Sequence, residues 1–252
     1  PGKTTPAPWV NVIGYSNFGF MVSEAGSQCT WATNSGENRL TPWSNDPVRD
    51  SSGEVLYLRD EETGEVWTPT PFPSGSRTKY RVSHGAGYTI FENNSHGLNQ
   101  VLTLFASPED PVKIIQLKIK NTLSHTRRVT ATQYVEWVLG TTHTTNAAYI
   151  VPEYDAEQQC LMAGNPYNVD FGRRMAFLIA SKPLHGLTAD RTEFLGRGGK
   201  GTFPAALRRL GLETRITAGE DPCAVLQIHI DLLPGATEEI YFVLGQGNDK
   251  DH

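Results

Sequence analysis

Apolar and polar residues alternate with a period of two along much of this chain. Ile114 to Lys120, IIQLKIK, puts Ile115, Leu117 and Ile119 on one face, the pattern of a half-buried strand. Val129 to Leu139, VTATQYVEWVL, is rich in β-branched and aromatic residues, which suit a pleated surface. Between them, Asn121 to Arg127 reads as turn chemistry, so the two runs are expected to pair as a hairpin. Ala224 to Leu232 alternates again, Pro234-Gly235 punctuates it, and Ile240 to Leu244 closes the pattern. Val55 to Leu58, Glu65 to Trp67, Gly87 to Glu92 and Asn99 to Phe105 are shorter strand candidates, and Phe18 opens another.

Helical signals are scarce. Asp190 to Gly196 predicts a single turn, with Asp190 and Glu193 as a capping box and Gly196 as its stop. Pro204 to Leu212 predicts another, with Pro204 at the first helical position. Scattered glycines and prolines punctuate many short strands, with no repeat of fixed period. The expected fold is all-β: a large antiparallel two-sheet sandwich with one or two short helical turns, a single domain over residues 9–247. Residues 1–8 read as a linker or tail and 248–252 as a C-terminal tail.

A formal net charge of −5 argues against a nucleic-acid partner, which needs a basic face. No apolar run reaches the roughly 18–20 residues needed to cross a membrane. Cys29, Cys160 and Cys223 lie far apart, without metal-ligand spacing, and read as free, buried or semi-buried thiols. Asn93-Asn94-Ser95 matches a glycosylation acceptor by chance composition. No metal or organic cofactor is implied.

The chemistry concentrates in Trp31 to Asp46. Trp31, Asn38, Arg39, Trp43, Asn45 and Asp46 combine indoles that stack on apolar sugar faces with amide, guanidinium and carboxylate partners for hydroxyls. The expectation is an ordered loop at one end or on the concave face of the sandwich. Arg39, Asn38 and Asn45 would point to a sugar channel that Trp31 or Trp43 lines. Two other readings stay open: the indoles plug the core, and Arg39 pairs with Glu37 or Asp46 to pin the loop. His84 to Thr89, HGAGYT, offers His84 and Tyr88 either at the mouth of a sugar site or in a tight turn into a strand. Gly196 to Thr202, GRGGKGT, lacks the Gly-Lys-Ser/Thr order of a phosphate loop and reads as a surface loop. Glu136 reads as a structural carboxylate beside Tyr134, opposite Val135 and a core Trp137. No carboxylate pair, nucleophile elbow or histidine pair announces a catalytic site, so no catalytic residue is assigned.

Long strings carry a family resemblance. Phe18-Gly19-Phe20, Ser23-Glu24, Thr30-Trp31, Asn34-Ser35 and Glu37-Asn38-Arg39-Leu40-Thr41-Pro42-Trp43-Ser44-Asn45-Asp46-Pro47 are followed downstream by Asp190-Arg191, Phe194-Leu195-Gly196-Arg197 and Pro204-Ala205-Ala206-Leu207. Together they resemble the N-terminal β-sandwich of glycoside hydrolase family 94 (the former glycosyltransferase family 36), with the cyclic β-1,2-glucan synthases as the nearest branch. The resemblance implies a galactose-mutarotase-type sandwich. It also implies a parent that makes or breaks β-linked glucans with inorganic phosphate and a sugar 1-phosphate. The general acid and phosphate ligands would lie in a following helical barrel, absent here, with the boundary near Gly245-Gln246-Gly247. The domain itself would shape the site and hold dimer contacts in a homodimeric parent, taking a β-glucan oligosaccharide as partner. In the synthases it would face the cytoplasm, its parent anchored in the inner membrane. A free-standing carbohydrate-binding module and a mutarotase-like epimerase are the competing expectations.

Overall fold

Two layers of antiparallel strands face each other across one continuous apolar core. The computed structural model describes residues 5, 7–43 and 52–250. The larger layer is an eight-stranded sheet. From one edge it runs β11 (Val151–Asp155), β12 (Cys160–Gly164), β13 (Met175–Ala180) and β16 (Thr237–Gly247). It continues through β9 (Val112–Asn121), β8 (Leu98–Ala106) and β7 (Tyr88–Ser95) to β6 (Tyr80–Gly85). One face meets the core and the other meets water, so β9 alternates as predicted: Ile115, Leu117 and Ile119 are buried.

The second layer contains a five-stranded sheet in the order β14 (Gly186–Asp190), β15 (Pro222–Leu232), β10 (Arg127–Glu136), β4 (Glu54–Asp60) and β5 (Val66–Trp67). Beside it lies a three-stranded sheet of β1 (Val10–Tyr15), β2 (Phe18–Ser23) and β3 (Gln28–Ala32). The five-stranded sheet is covered on both faces, which is why every residue of β4 is buried. Val135 and Trp137 face the main core, while Tyr134 and Tyr57 pack outward against Phe194, Leu195 and Leu207. Trp137 is the core residue its alternation implied, and Glu136 ends its strand on the Tyr134 side.

The predicted helical turn over 190–196 is α2 (Arg191–Leu195). The Asp190 carboxylate accepts from the backbone N–H groups of Thr192 and Glu193, and Gly196 stops it at φ +87°. The reciprocal half of the capping box is not made: Glu193 turns away to accept from Arg209 and from the Glu213 N–H. Over 204–212 the chain forms only a 3-10 turn, Ala205–Arg208, with Pro204 as its cap instead of its first residue.

The expected hairpin between the 114–120 and 129–139 runs does not form. β9 pairs with β8 and β16, whereas β10 pairs with β4 and β15. Residues 122–126 arch from one layer to the other, and residues 233–236 make the matching return. Buried Asn121 ties the arches together, donating through Nδ2 to the carbonyls of His125, Leu232 and Leu233 at 2.8, 3.0 and 3.2 Å. A polar turn sequence closes an arch as readily as a hairpin. The surplus of apolar surface on both runs makes two opposed sheets the more stable outcome.

Candidate functional site

The strand registers bring one set of loops to one end of the sandwich: 33–43, 86–87, 107–111, 138–150 and 165–174. The 33–43 segment joins the two halves of the second layer. Leu40 N–H donates to Thr30 O at 2.8 Å, while Arg39 and Gly140 exchange backbone hydrogen bonds of 3.0 and 3.2 Å. Residues 39–41 thus act as a short connecting strand between β3 and the end of β10. A Cβ at Gly140 would lie 2.6 Å from the Asn146 amide nitrogen, so a larger residue there would displace the Asn146 side chain.

Beneath the seam is a buried ionic knot. β9's inward row begins with Lys113, which is 0% exposed. Its Nζ donates to Glu54 Oε2 at 2.6 Å and to the Gln28 side-chain oxygen Oε1, and lies 4.5 Å above the centre of the Phe20 ring. The other Glu54 oxygen accepts from the hydroxyls of Thr30 and Thr41 at 2.6 and 2.7 Å. Those two threonines bracket the loop, so the knot fixes both of its ends. Burial lowers the Lys113 ammonium below its usual range despite the opposing pull of Glu54. Burial, then the Glu54 charge, raises the neighbouring Cys29 thiol to about 12. Cys29, Cys160 and Cys223 are all free.

The predicted site residues divide. Trp31 lies in β3 and not in a loop, its indole close over Gly19, where a Cβ would meet it at 2.7 Å. Asn38 is 1% exposed and spends its amide on Ala32 O at 2.9 Å and Gln246 Oε1 at 2.8 Å, so it holds the loop to β16 instead of reaching outward. Arg39 donates from Nε to Ser35 O at 2.8 Å and from Nη1 to Thr141 O at 3.0 Å. Its guanidinium carbon sits 5.4 Å over the Trp43 ring, which is 46% exposed. Asn45 and Asp46 lie outside the described residues.

His84 and Tyr88 flank a two-residue turn between β6 and β7, with Gly87 at φ +85°. The Tyr88 ring closes over Gly85. His84 Nδ1 is 3.0 Å from Thr89 Oγ1, and burial holds its pKa below the usual imidazole value. This turn is at the same end, but β7 and β6 are three and four strands from β16, about 14–19 Å at some 4.8 Å per strand. The structure therefore does not join His84 and Tyr88 to the Arg39–Trp43 group.

Beside Arg39's anchor at Thr141 opens a cleft of about 180 Å³ that the sequence reading missed. The turn around α1 (His143–Asn146) and the 165–171 loop form its walls, with Glu37 on its rim. Tyr149 and Tyr167 meet there at 4.8 Å between ring centres. The sequence signal was the cluster of Tyr and Asn in NAAY and NPYN.

Next to this cleft, His143 Nε2 lies 2.9 Å from Asp221 Oδ1, and Arg191 bonds both Asp221 and Glu136 at 2.9 and 3.0 Å. Hydrogen bonding to Asp221 raises the His143 pKa against the cost of burial, with Glu136 adding to the rise. This makes Glu136 a structural carboxylate, as expected. No group of three His, Cys, Asp or Glu among the described residues is placed to hold a metal. Asn93 is buried and its amide donates to Thr78 Oγ1 and Lys79 O, which removes it as a glycan acceptor. The Gly196 to Thr202 segment is a loop tied down by Tyr57, whose hydroxyl donates to Gly201 O at 2.6 Å.

All of residues 1–252 match the glycosyl hydrolase 94 supersandwich domain. The chain belongs to this family. The supersandwich domain is 35% identical over 254 residues to the cyclic beta-(1,2)-glucan synthase NdvB of Rhizobium meliloti, covering 99% of this chain and 9% of that protein. It is 25% identical to an N,N'-diacetylchitobiose phosphorylase of Vibrio furnissii, covering 96% of this chain and 31% of that enzyme. The chain thus spans a third or less of the length of these curated relatives. In fold, it resembles a GalM/aldose epimerase homologue from C. elegans at a TM-score of 0.56 and 12% identity, over 97% of this chain and 100% of that one. The supersandwich is therefore of the galactose-mutarotase type, and its relatives are carbohydrate-active.

Proposed function

We propose that this supersandwich domain shapes the substrate site of a larger enzyme that makes or breaks β-linked glucans with phosphate, and holds dimer contacts within it. The observation that carries the reading is the Arg39–Trp43 pair. A guanidinium fixed by two backbone carbonyls lies over a half-exposed indole, at the end where the other loops gather. Such a pair is pre-organised: the indole offers an apolar platform, and the remaining guanidinium N–H groups can donate to sugar hydroxyls. The domain makes and breaks no bond itself. It would orient a glucan and exclude water beside a catalytic domain that supplies the acid and the phosphate ligands. Similarity to a glucan synthase and to a disaccharide phosphorylase, both much longer than this chain, supports this division of labour.

The test is Arg39→Ala in the full-length enzyme. Turnover should fall while the isolated domain loses no more than a few degrees of melting temperature. Full turnover in the variant makes Arg39 purely structural and sinks the assignment. Incubated with β-1,2-gluco-oligosaccharide and phosphate, the 252-residue chain should release no glucose 1-phosphate. Release that a substitution within the chain abolishes would refute the division of labour.

A further inference from the structure

We propose that the cleft between the α1 turn and the 165–171 loop is a binding subsite for one neutral β-glucosyl ring. The inference rests on the carbohydrate reading above and names the ligand of a site at the same end of the sandwich. At about 180 Å³ the cleft has room for a single ring and not for a chain segment.

Its aromatic wall is built from residues that solvent otherwise covers. Tyr149 is 46% exposed and Tyr167 74% exposed, with their planes inclined at 40°. Two tilted phenols present apolar faces and polar tips together. A β-glucosyl ring, with its substituents equatorial, offers matching apolar C–H faces and a hydroxyl edge.

The polar lining separates into spent and unspent groups. Buried Asn165 donates to Leu139 O at 3.0 Å and accepts from the Tyr167 N–H at 3.3 Å, so it holds the loop in place. Asn146 donates to Thr142 O at 2.8 Å and braces the turn. Asn168 uses only its carbonyl oxygen, accepting from the N–H groups of Asp170 and Phe171 at 3.1 Å each. Its two amide hydrogens have no partner among the described residues. The Glu37 and Asp170 side chains are exposed and line the same cleft. The unspent set is therefore the Asn168 amide, the two tyrosine hydroxyls and two carboxylate acceptors, which suits the hydroxyls of a polyol.

A phosphate would need free cationic donors. No Lys or Arg among the described residues lines the cleft, and the Glu37 and Asp170 carboxylates that do line it repel an anion. The subsite therefore takes a neutral glycosyl unit and rejects phosphate and sugar phosphates.

The test is calorimetric titration of the 252-residue chain with a β-1,2-linked glucotriose, with ligand-observed NMR to detect the bound sugar. Inorganic phosphate and glucose 1-phosphate serve as competitors. Tyr167→Ala, on an exposed loop, should weaken binding by at least about tenfold. Phe203→Ala removes an exposed aromatic that does not line the cleft and should leave affinity unchanged. Three results would each overturn the inference: no binding by the unaltered chain, binding that survives Tyr167→Ala, or displacement of the sugar by phosphate. None of them touches the site-shaping reading, which stands or falls on turnover in the full-length Arg39→Ala enzyme.

Discussion

Replacing Lys113 with Met should destabilise the domain more than its single lost ion pair suggests. Lys113 and Glu54 are both 0% exposed by side chain and 2.6 Å apart. Removing one partner of such a pair leaves a buried charge uncompensated, at a cost of about 3–5 kcal/mol. A domain of this size loses about 2–4 °C in melting temperature per kcal/mol, so the drop should be roughly 6–20 °C. The double variant Lys113→Met/Glu54→Gln should recover at least half the loss. The introduced amide still accepts from Thr30 and Thr41 and offers a donor to Gln28, while the methionine side chain fills the space over Phe20. Scanning calorimetry, with near-UV circular dichroism as a check on packing, reads both the loss and the recovery. A single variant melting within about 2 °C of wild type, or a double variant melting below the single, would refute the reasoning.

Three further expectations follow from the same packing. Trp137→Ala empties a fully buried site and should cost about 3–5 kcal/mol; an unchanged melting curve would place Trp137 outside the core. Asn121→Leu strands the Leu232 and His125 carbonyls and should cost about 1–3 kcal/mol, measured by urea denaturation; a neutral result would mean the arches hold without the side chain. For His143, the raised folded-state pKa makes its contribution full below the ordinary imidazole value of about 6.5 and lost as pH rises through the raised one. Asp221 is pushed up by burial but held below its usual value by His143 and Arg191, so its own contribution fades only in acid. The stability gap between wild type and His143→Gln should therefore be widest between about pH 4 and 6.5 and narrow at higher pH. A gap independent of pH would show that His143 acts without its charge.

The alternation in β9 and β16 was legible because a strand with one buried face writes a period of two into its own sequence, whereas β10, covered on both faces, was legible from its β-branched and aromatic content. The α2 turn was legible for a similar reason, since Asp190 and Gly196 act on backbone groups within a few residues of themselves. Trp137 belonged to the core on its neighbours alone, and the strings around Glu37 to Pro47 were enough for the family. What the chain order concealed is what distant segments decide together. Nothing near residues 121–127 says whether a polar turn closes a hairpin or an arch, because the choice depends on which sheet receives β10. Asn38 and Arg39 are adjacent, yet one faces Gln246 and the other Thr141, a difference set by the pleat of a connecting strand visible only once both sheets stand. Lys113 reads as a solvent-facing charge until the register puts it in the inward row with Ile115, opposite a glutamate 59 positions away. Tyr149 and Tyr167 meet because β11 and β12 return to the same end of the sheet. Local signals determine strands and caps; charges and cleft walls come from different strands, and their meeting is a property of the packed sheets alone.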